Sequence, residues 1–462
     1  MNSGMPITLT VLIAKTLLNL SRLVGRGGGS ALPGLVAEKL DPQIGTKLAS
    51  RIPRGSIIVT GTNGKTTTSK MLAKVLSDSG ESLVANRAGS NLSRGIVSAL
   101  IEHISVSGHY KDTVGLFEVD EAAMPAVAAM LQPRAIVVLN LFRDQLDRYG
   151  ELDTTAKLIG KGIAATEAQL YLNADDPLVA SLAQYAPKDQ SVVYFGIDEV
   201  PTTKLAHDVT ADSNTCPVCG RALDYNKAFF GHIGHYRCPA GHFGRPQPSL
   251  DANKIKLNDR SASFQVRLSD TDDCHQAKIF LPGLYNIYNA LAATVVAQGF
   301  GVAIDSALES LSRVQAAFGR VEVLSVGTKQ LYLLLVKNPT GFNQIIHTFL
   351  LKNKQQNILF IINDNFADGR DISWLWDVAF EELTAQSHVI DVAGLRADDM
   401  ALRLKYADMP VRHNHHQLSK ALNQFIDQLP ENGTGYIVPT YTAMLESRKK
   451  LGRRVKLSGV WE

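Results

Sequence analysis

The chain has 462 residues, 45% of them apolar and 20% charged, and a formal net charge of +3. That length exceeds one hydrophobic core and implies two or three domains; the balance is that of a soluble globular protein, and so small a charge excludes wholesale nucleic-acid binding. The four cysteines are too few for a disulfide scaffold. Three of them fall in one short Gly- and His-rich stretch, which points to a metal in a reducing compartment, hence the cytoplasm.

Ile7 to Val24 is an apolar run interrupted by Lys15, Asn19 and Arg22. It is shorter than a bilayer needs and has no basic residue before it, so it reads as an amphipathic helix, with shallow contact at a membrane surface as the alternative. Gly25-Arg26-Gly27-Gly28-Gly29-Ser30-Ala31-Leu32-Pro33-Gly34 follows and has the composition of a flexible linker.

The apolar segment Ser56-Ile57-Ile58-Val59-Thr60 runs into Gly61-Thr62-Asn63-Gly64-Lys65-Thr66-Thr67-Thr68. A strand, a Gly-rich turn and a helix from about Thr66 to Leu76 make a phosphate cradle: inward backbone N–H groups, the positive end of a helix, a lysine for the outer phosphates and a hydroxyl for Mg²⁺. Further strands at Thr113–Val119, Ala135–Leu139 and Gln169–Leu172 alternate with helical patterns, which predicts a mostly parallel sheet covered on both faces, with ligands at the carboxyl ends of its strands. Three such ends are polar. Glu118, Asp120 and Glu121 close one, a place to hold Mg²⁺. Asn140 closes the next, followed by Asp144, Gln145, Asp147 and Arg148. Asn173-Ala174-Asp175-Asp176-Pro177 closes the third, where an Asp can take ribose hydroxyls or start a helix.

With Tyr285-Asn286-Ile287-Tyr288-Asn289-Ala290 and Phe318-Gly319-Arg320, these motifs resemble the Mur ligase family and the related folyl-polyglutamate synthases, in the family's order over residues 54–320. The resemblance implies a Mur ligase-type α/β P-loop domain using ATP and Mg²⁺. It places Gly61, Thr62, Asn63, Gly64, Lys65, Thr66, Thr67, Asn140 and Asp176 around the nucleotide, Asn289 against adenine and Arg320 near the phosphates, with Thr66 and Glu118 on magnesium. Gln145 stands where the family usually has a His on a second metal, and Lys157 and Lys161 are both out of register for the modified lysine of many Mur ligases.

An insertion at about 205–250 contains Cys216-Pro217-Val218-Cys219-Gly220 and Cys238-Pro239-Ala240-Gly241-His242. Cysteines two apart on a tight turn form one knuckle of a zinc ribbon, and the second knuckle is half repeated. The expected structural zinc ligands are Cys216, Cys219, Cys238 and His242, with His232 or His235 as alternatives for the fourth and Cys274 more distant.

From Leu324 the alternation resumes: strand Leu331–Val336, helix from Phe342, strand Asn357–Ile362, helix Trp374–Leu383, strand His388–Val392, helix Ala397–Tyr406, strand Gly435–Pro439 and a basic helix. A second, Rossmann-like α/β domain is expected. The boundaries are 1–53 for the N-terminal segment, 54–322 for the ATP-binding domain and 323–462 for the C-terminal one. Two loops stand out, Lys337-Asn338-Pro339 and Asn363-Asp364-Asn365-Phe366-Ala367-Asp368-Gly369-Arg370-Asp371-Ile372-Ser373-Trp374; Asp371 or Ser373 can cap the helix that follows.

These loops, the Gly-rich segment, the Cys-rich insertion and Tyr441-Thr442-Ala443-Met444 resemble the MurT family, synthetase subunits of MurT/GatD lipid II amidotransferases. The resemblance implies amidation, through an acyl phosphate, of the D-glutamate carboxyl of the lipid II stem peptide. The ammonia would come from a GatD-like glutaminase bound to the C-terminal domain. An Asp of this chain would orient the partner's catalytic His; Asp364 is first choice, then Asp368 and Asp371. The alternative is a self-sufficient Mur-type ligase that adds an amino acid.

Overall fold

The computed structural model describes residues 6–23 (backbone only from 20), 31–86, 90–143, 152–188, 190–200, 213–314, 321–351 and 355–452. They fall into two compact units, one of residues up to Phe142 with Leu152–Val314, the other of Arg143 and the residues after Val314. Of the linker expected over Gly25–Gly34, residues 25–30 lie outside the described residues; the rest is not linker, because Leu32–Leu40 is a helix whose Pro33 and Gly34 are buried, with a Cβ at Gly34 only 2.1 Å from the Arg94 carbonyl.

In the first unit the strands are β1 (Ser56–Thr60), β2 (Ser82–Ala85), β3 (Thr113–Glu118), β4 (Ala135–Val138), β5 (Gln169–Asn173), β6 (Val192–Ile197), β7 (Asp224–Phe230), β8 (Ile233–Arg237), β9 (Leu250–Leu257), β10 (Ala262–Leu268) and β11 (Cys274–Ile279). Nine of them form one sheet in the order β11-β10-β9-β6-β5-β4-β1-β3-β2. Pairing is parallel from β2 through to β9 and antiparallel for β10 and β11. Ile57, Ile58 and Val59 have no exposed surface, which is why β1 is a continuous apolar run: a parallel strand is covered on both faces.

The helix Lys65–Asp78 buries Met71, Leu72, Val75 and Leu76 at helical spacing. Helix Leu284–Gly299 packs against it and is buried around most of its circumference. The hairpin β7–β8 is a separate two-stranded sheet, flanked by the isolated bridges Thr215–Ala222 and Arg237–Gly244.

Ile7–Leu23 is a helix whose Val11 and Ala14 are buried, while Leu9 and Leu12 are exposed. Among the described residues no helix is long and apolar enough to cross a membrane.

In the second unit β12 (Glu322–Val326), β13 (Lys329–Leu333), β14 (Asn357–Ile361), β15 (Val389–Ala393), β16 (Val411–His415) and β17 (Thr434–Pro439) lie in the order β12-β13-β17-β14-β15-β16. Only β12–β13 is antiparallel. Apolar clusters cover both faces of this sheet.

The helix expected over Trp374–Leu383 is instead two short 3₁₀ turns, Ser373–Asp377 and Phe380–Leu383. Side chains claim the backbone groups that an α-helix would use. Arg403 donates to the carbonyls of Leu375 (3.1 Å) and Val378 (2.7 Å), and the Ala379 N–H donates to Asn343 Oδ1 (2.9 Å).

Candidate functional site

The loop after β1 curls because Gly61 (φ 122°) and Gly64 (φ 93°) adopt the left-handed region. Gly64 caps the helix Lys65–Asp78, so the helix's positive end opens at the loop. The Lys65 ammonium donates to the Glu121 carboxylate (2.6 Å) and to the Gly61 carbonyl (2.5 Å). Thr66 Oγ1 donates to Glu118 Oε2 (3.1 Å), which sets a hydroxyl and a carboxylate side by side, the hard oxygen donors Mg²⁺ takes. Thr67 is buried behind them. Asp120 turns away to cap the turn Glu121–Ala123, accepting from the Ala122 N–H (3.1 Å).

Asn140, at the end of β4, braces the loop: its Oδ1 accepts from the Asn63 N–H (2.9 Å) and its Nδ2 donates to the Asn63 carbonyl (3.0 Å). Thr62 Oγ1 accepts from the Phe142 N–H (3.0 Å) and lies 3.1 Å from the Phe142 carbonyl. Asn289 reaches in from helix Leu284–Gly299, its Oδ1 accepting from Thr68 Oγ1 (3.2 Å). A Cβ at Gly64 would lie 2.3 Å from that same oxygen, so glycine is required by space as well as by φ.

Asn86, just past β2, carried no signal in the sequence, yet it fixes Glu118 by accepting from its N–H and donating to its carbonyl, each at 2.9 Å.

The ribose role expected of Asp176 does not fit. The side chain has no exposed surface; Oδ1 accepts from the Leu178 (3.0 Å) and Val179 (3.1 Å) amides and Oδ2 from the Leu141 amide (2.8 Å). Asp176 is the N-cap of the helix Pro177–Ser181, the other meaning of Asp-Asp-Pro.

In the insertion, the sulfurs of Cys216, Cys219 and Cys238 all lie within 4.8 Å of one another, with Cys219 and Cys238 at 3.6 Å. Burial pushes the Cys238 thiol up, but the N–H groups of His242 and Ala240 and the neighbouring thiols outweigh it and bring it down to about 7. The Cys219 thiol moves the other way: the Arg221 N–H pulls it down, but burial and the Cys238 and Cys216 thiols outweigh that and raise it. The group thus readies one thiolate, and three sulfurs so close together are a donor set that zinc accepts. His242 is exposed and its ring is not part of the three-sulfur group. Nor are the alternatives. His232 is buried 3.4 Å from Asp176 Oδ2, His235 Nε2 lies 2.8 Å from the Ile197 carbonyl, and Cys274 is exposed on β11.

In the second unit the carboxyl ends of β14, β15 and β17 converge. The Asn363 N–H donates to Thr440 Oγ1 (2.9 Å), and Asn363 Oδ1 accepts from the Leu395 N–H (3.0 Å). Asp368 is buried and accepts from the Thr442 N–H (2.7 Å), the Thr442 hydroxyl and the Asn365 N–H (3.1 Å). Burial pushes its carboxyl above the usual range, against the pull of those donors. Asp371 accepts from the Ser373 N–H (2.8 Å), but the expected cap is neither Asp371 nor Ser373: the N-cap of the turn Ser373–Asp377 is Ile372, which makes no side-chain cap. Asp364 is half-buried, with the Arg396 guanidinium 3.8 Å away. Around it Phe366 and Leu395 are 74% and 61% exposed. Arg320 and the segment Asp144, Gln145, Asp147, Arg148 lie outside the described residues.

Residues 59–231 match the Mur ligase middle domain family and residues 335–444 the MurT ligase C-terminal family. The chain is 32% identical to the lipid II isoglutaminyl synthase (glutamine-hydrolyzing) subunit MurT of Staphylococcus aureus, over 96% of this chain and 97% of that one. It is 34% identical to the subunit of the same name from Streptococcus pneumoniae, over 94% of each. Among solved structures, a pseudomurein peptide ligase type C from Methanothermus fervidus superposes with a TM-score of 0.69 at 21% identity, covering 88% of this chain and 80% of that one. MurF from Acinetobacter baumannii does so with a TM-score of 0.64 at 17% identity, over 88% and 79%. These two show the fold. On the strength of the near full-length relatives, the chain belongs to the MurT family of Mur ligase-like proteins.

Proposed function

We propose that the chain is the ATP-using synthetase subunit of a glutamine-dependent lipid II isoglutaminyl synthase. The observation that carries this is the pairing of a complete phosphate cradle, Gly61 to Thr67 with Glu118, Asn140 and Asn289, with a second unit that matches the MurT C-terminal family. A carboxylate resists attack by ammonia because its oxygen is a poor leaving group. Attack of that oxygen on the γ-phosphorus of ATP transfers the phosphoryl group, breaks its bond to ADP and gives an acyl phosphate. Ammonia then adds to the acyl carbon, loses a proton and expels phosphate. The loop amides, the helix end and Lys65 stabilise the charge that moves onto the phosphates. Mg²⁺ held by Thr66 and Glu118 would neutralise phosphate charge there.

The ammonia comes from a glutaminase partner: three of the chain's four cysteines are gathered in the thiol cluster and Cys274 lies exposed on β11, so none is placed beside a base as a glutaminase nucleophile would be. The partner docks at the β14 end of the second unit. Asp368 is held by the Thr442 amide and hydroxyl and the Asn365 amide, and Asp371 takes the Ser373 amide, which leaves Asp364 as the carboxylate to orient the partner's His, with exposed Phe366 and Leu395 near it in the same loops. Cys216, Cys219 and Cys238 would hold a zinc ion, with His242 as the fourth ligand, and the ion would be structural. The lipid-linked substrate puts the enzyme at the inner membrane surface.

The test is co-expression with the glutaminase and mass spectrometry of lipid II after incubation with ATP, Mg²⁺ and glutamine. Loss of about one mass unit per stem peptide, dependent on Lys65 and on the partner, is expected for conversion of a carboxyl to an amide. Gain of an amino-acid residue mass by the chain alone would replace this reading with that of a self-sufficient ligase.

A further inference from the structure

The turn after β5 is gripped from two sides. Asp175 has no exposed surface; its Oδ2 accepts from the Ile197 N–H (2.6 Å) and from the Tyr288 hydroxyl (2.7 Å), and its Oδ1 from Arg245 Nε (2.6 Å). Two of these partners belong to different functional elements. Arg245 leaves the second cysteine turn directly after the Arg237–Gly244 bridge, and its own N–H donates to the Tyr236 carbonyl (3.0 Å). Tyr288 precedes Asn289, the side chain that meets Thr68 behind the phosphate loop.

The hairpin between the cysteine turns adds to the same junction. Gly234 N–H donates to the Asp175 carbonyl (2.9 Å) and the Tyr236 hydroxyl to the Ala174 carbonyl (3.0 Å). The Phe230 ring lies edge-on to Tyr288 (6.0 Å) and stacks on Phe142 (6.1 Å), which is bonded to Thr62 of the loop. There is little room for adjustment, since a Cβ at Gly196 would lie 2.8 Å from Asp175 Oδ1. A carboxylate that binds three donors on three separate segments fixes their separation, and a buried network of this kind tolerates no half-satisfied member.

We infer that Asp175, with Arg245 and Tyr288, is a positioning residue through which the three-thiol module holds helix Leu284–Gly299 against the phosphate loop and thereby sets the affinity for nucleotide. The inference rests on the nucleotide reading of that loop. It assigns the cysteine module a role in nucleotide binding.

The experiment titrates a fluorescent N-methylanthraniloyl ATP, with Mg²⁺, into the full-length chain in complex with its glutaminase, comparing wild type, Tyr288→Phe, Cys238→Ser and the double variant. KM for ATP, kcat and thermal melting are measured on the same preparations. Each single variant should weaken probe binding about 3- to 10-fold and raise KM for ATP in proportion, with kcat within about twofold. The double variant should be no weaker than the worse single, because both changes cut one connection. Multiplying effects in the double, unchanged binding in Tyr288→Phe, or loss of kcat at constant KM would each overturn the inference. Should Tyr288→Phe not fold, Arg245→Lys, which loses the bond to Asp175 through Nε, carries the same expectations. A wild-type complex that does not bind the probe sinks the nucleotide reading itself; one that binds it equally to all variants sinks this inference alone.

Discussion

Lys65 and Glu121 form an ion pair 2.6 Å apart whose side chains are 12% and 7% exposed. A charge so enclosed cannot lose its partner cheaply: breaking a buried pair costs roughly 3 to 5 kcal/mol, more than the pair itself contributes. Lys65→Met should therefore lower stability by about 3 kcal/mol as well as abolish ADP formation. Adding Glu121→Gln should restore most of the stability and none of the activity. Urea unfolding and an ADP assay on both variants check this, and a single variant as stable as wild type would mean the pair is not closed to water.

Asp364→Asn removes the charge proposed to orient the partner's His while leaving the cradle alone. Glutamine-dependent amidation should fall by at least about 100-fold, and amidation from free ammonium should stay near the wild-type rate. Loss of both activities would assign the loop to folding or to ATP chemistry. Asp368→Asn should not show this split.

Asp176→Ala leaves the helix Pro177–Ser181 without its cap and the buried Leu141 N–H without an acceptor. The expected cost is about 2 to 4 kcal/mol, from a lost cap plus one unsatisfied amide. Thermal melting should show it. A large rise in KM for ATP at unchanged melting temperature would return Asp176 to the ribose.

Burial holds the Asp368 carboxyl above the usual range, so the fold binds its proton more tightly than the unfolded chain does. The sign follows: the stability this proton confers is complete below the ordinary carboxylate range and is lost as pH rises through the raised value. Unfolding of the wild-type protein should show that downward slope, and Asp368→Asn should flatten it. A slope that survives the substitution assigns the effect to another group.

Zinc analysis of protein purified without chelator should find about one equivalent per chain, absent from Cys238→Ser. His242→Ala should weaken retention against a chelator if its ring completes the site, and should change nothing if it does not.

The sequence was most legible where periodicity and chemistry coincide. The strands through Ile57, Leu116, Val137 and Leu170 and the helix Ala397–Tyr406 were readable from apolar pattern alone. The antiparallel strand β10 alternates buried Ala262, Phe264 and Val266 with half-buried Ser263, Gln265 and Arg267, a pattern present in the sequence but absent from the expected strands, whereas β11 mixes exposed, half-buried and buried positions and carries no such signal. Trp374–Leu383 has helical composition, but long-range donors from Arg403 and an acceptor from Asn343 redirect its backbone, and no local pattern announces them. At the site the same limit holds. Gly61, Gly64, Lys65 and Thr66 carry their meaning in spacing, and the capping of Leu178 and Val179 by Asp176 is local to Asp-Asp-Pro, whereas the bonds of Asp175 to Tyr288 and of Asp176 to Leu141 reach partners distant in sequence.

The contact of Asn289 with Thr68 and Gly64 also bears on how the protein comes to fold. Thr68 and Asn289 are 221 positions apart, and the loop's second glycine is hemmed by Asn289 of the far helix and by Leu139. The phosphate loop cannot reach its final shape until almost two thirds of the chain has been synthesised. Contacts of such long separation pay their loop-closure entropy before any gain, so acquisition of nucleotide binding should trail collapse of the first unit in refolding.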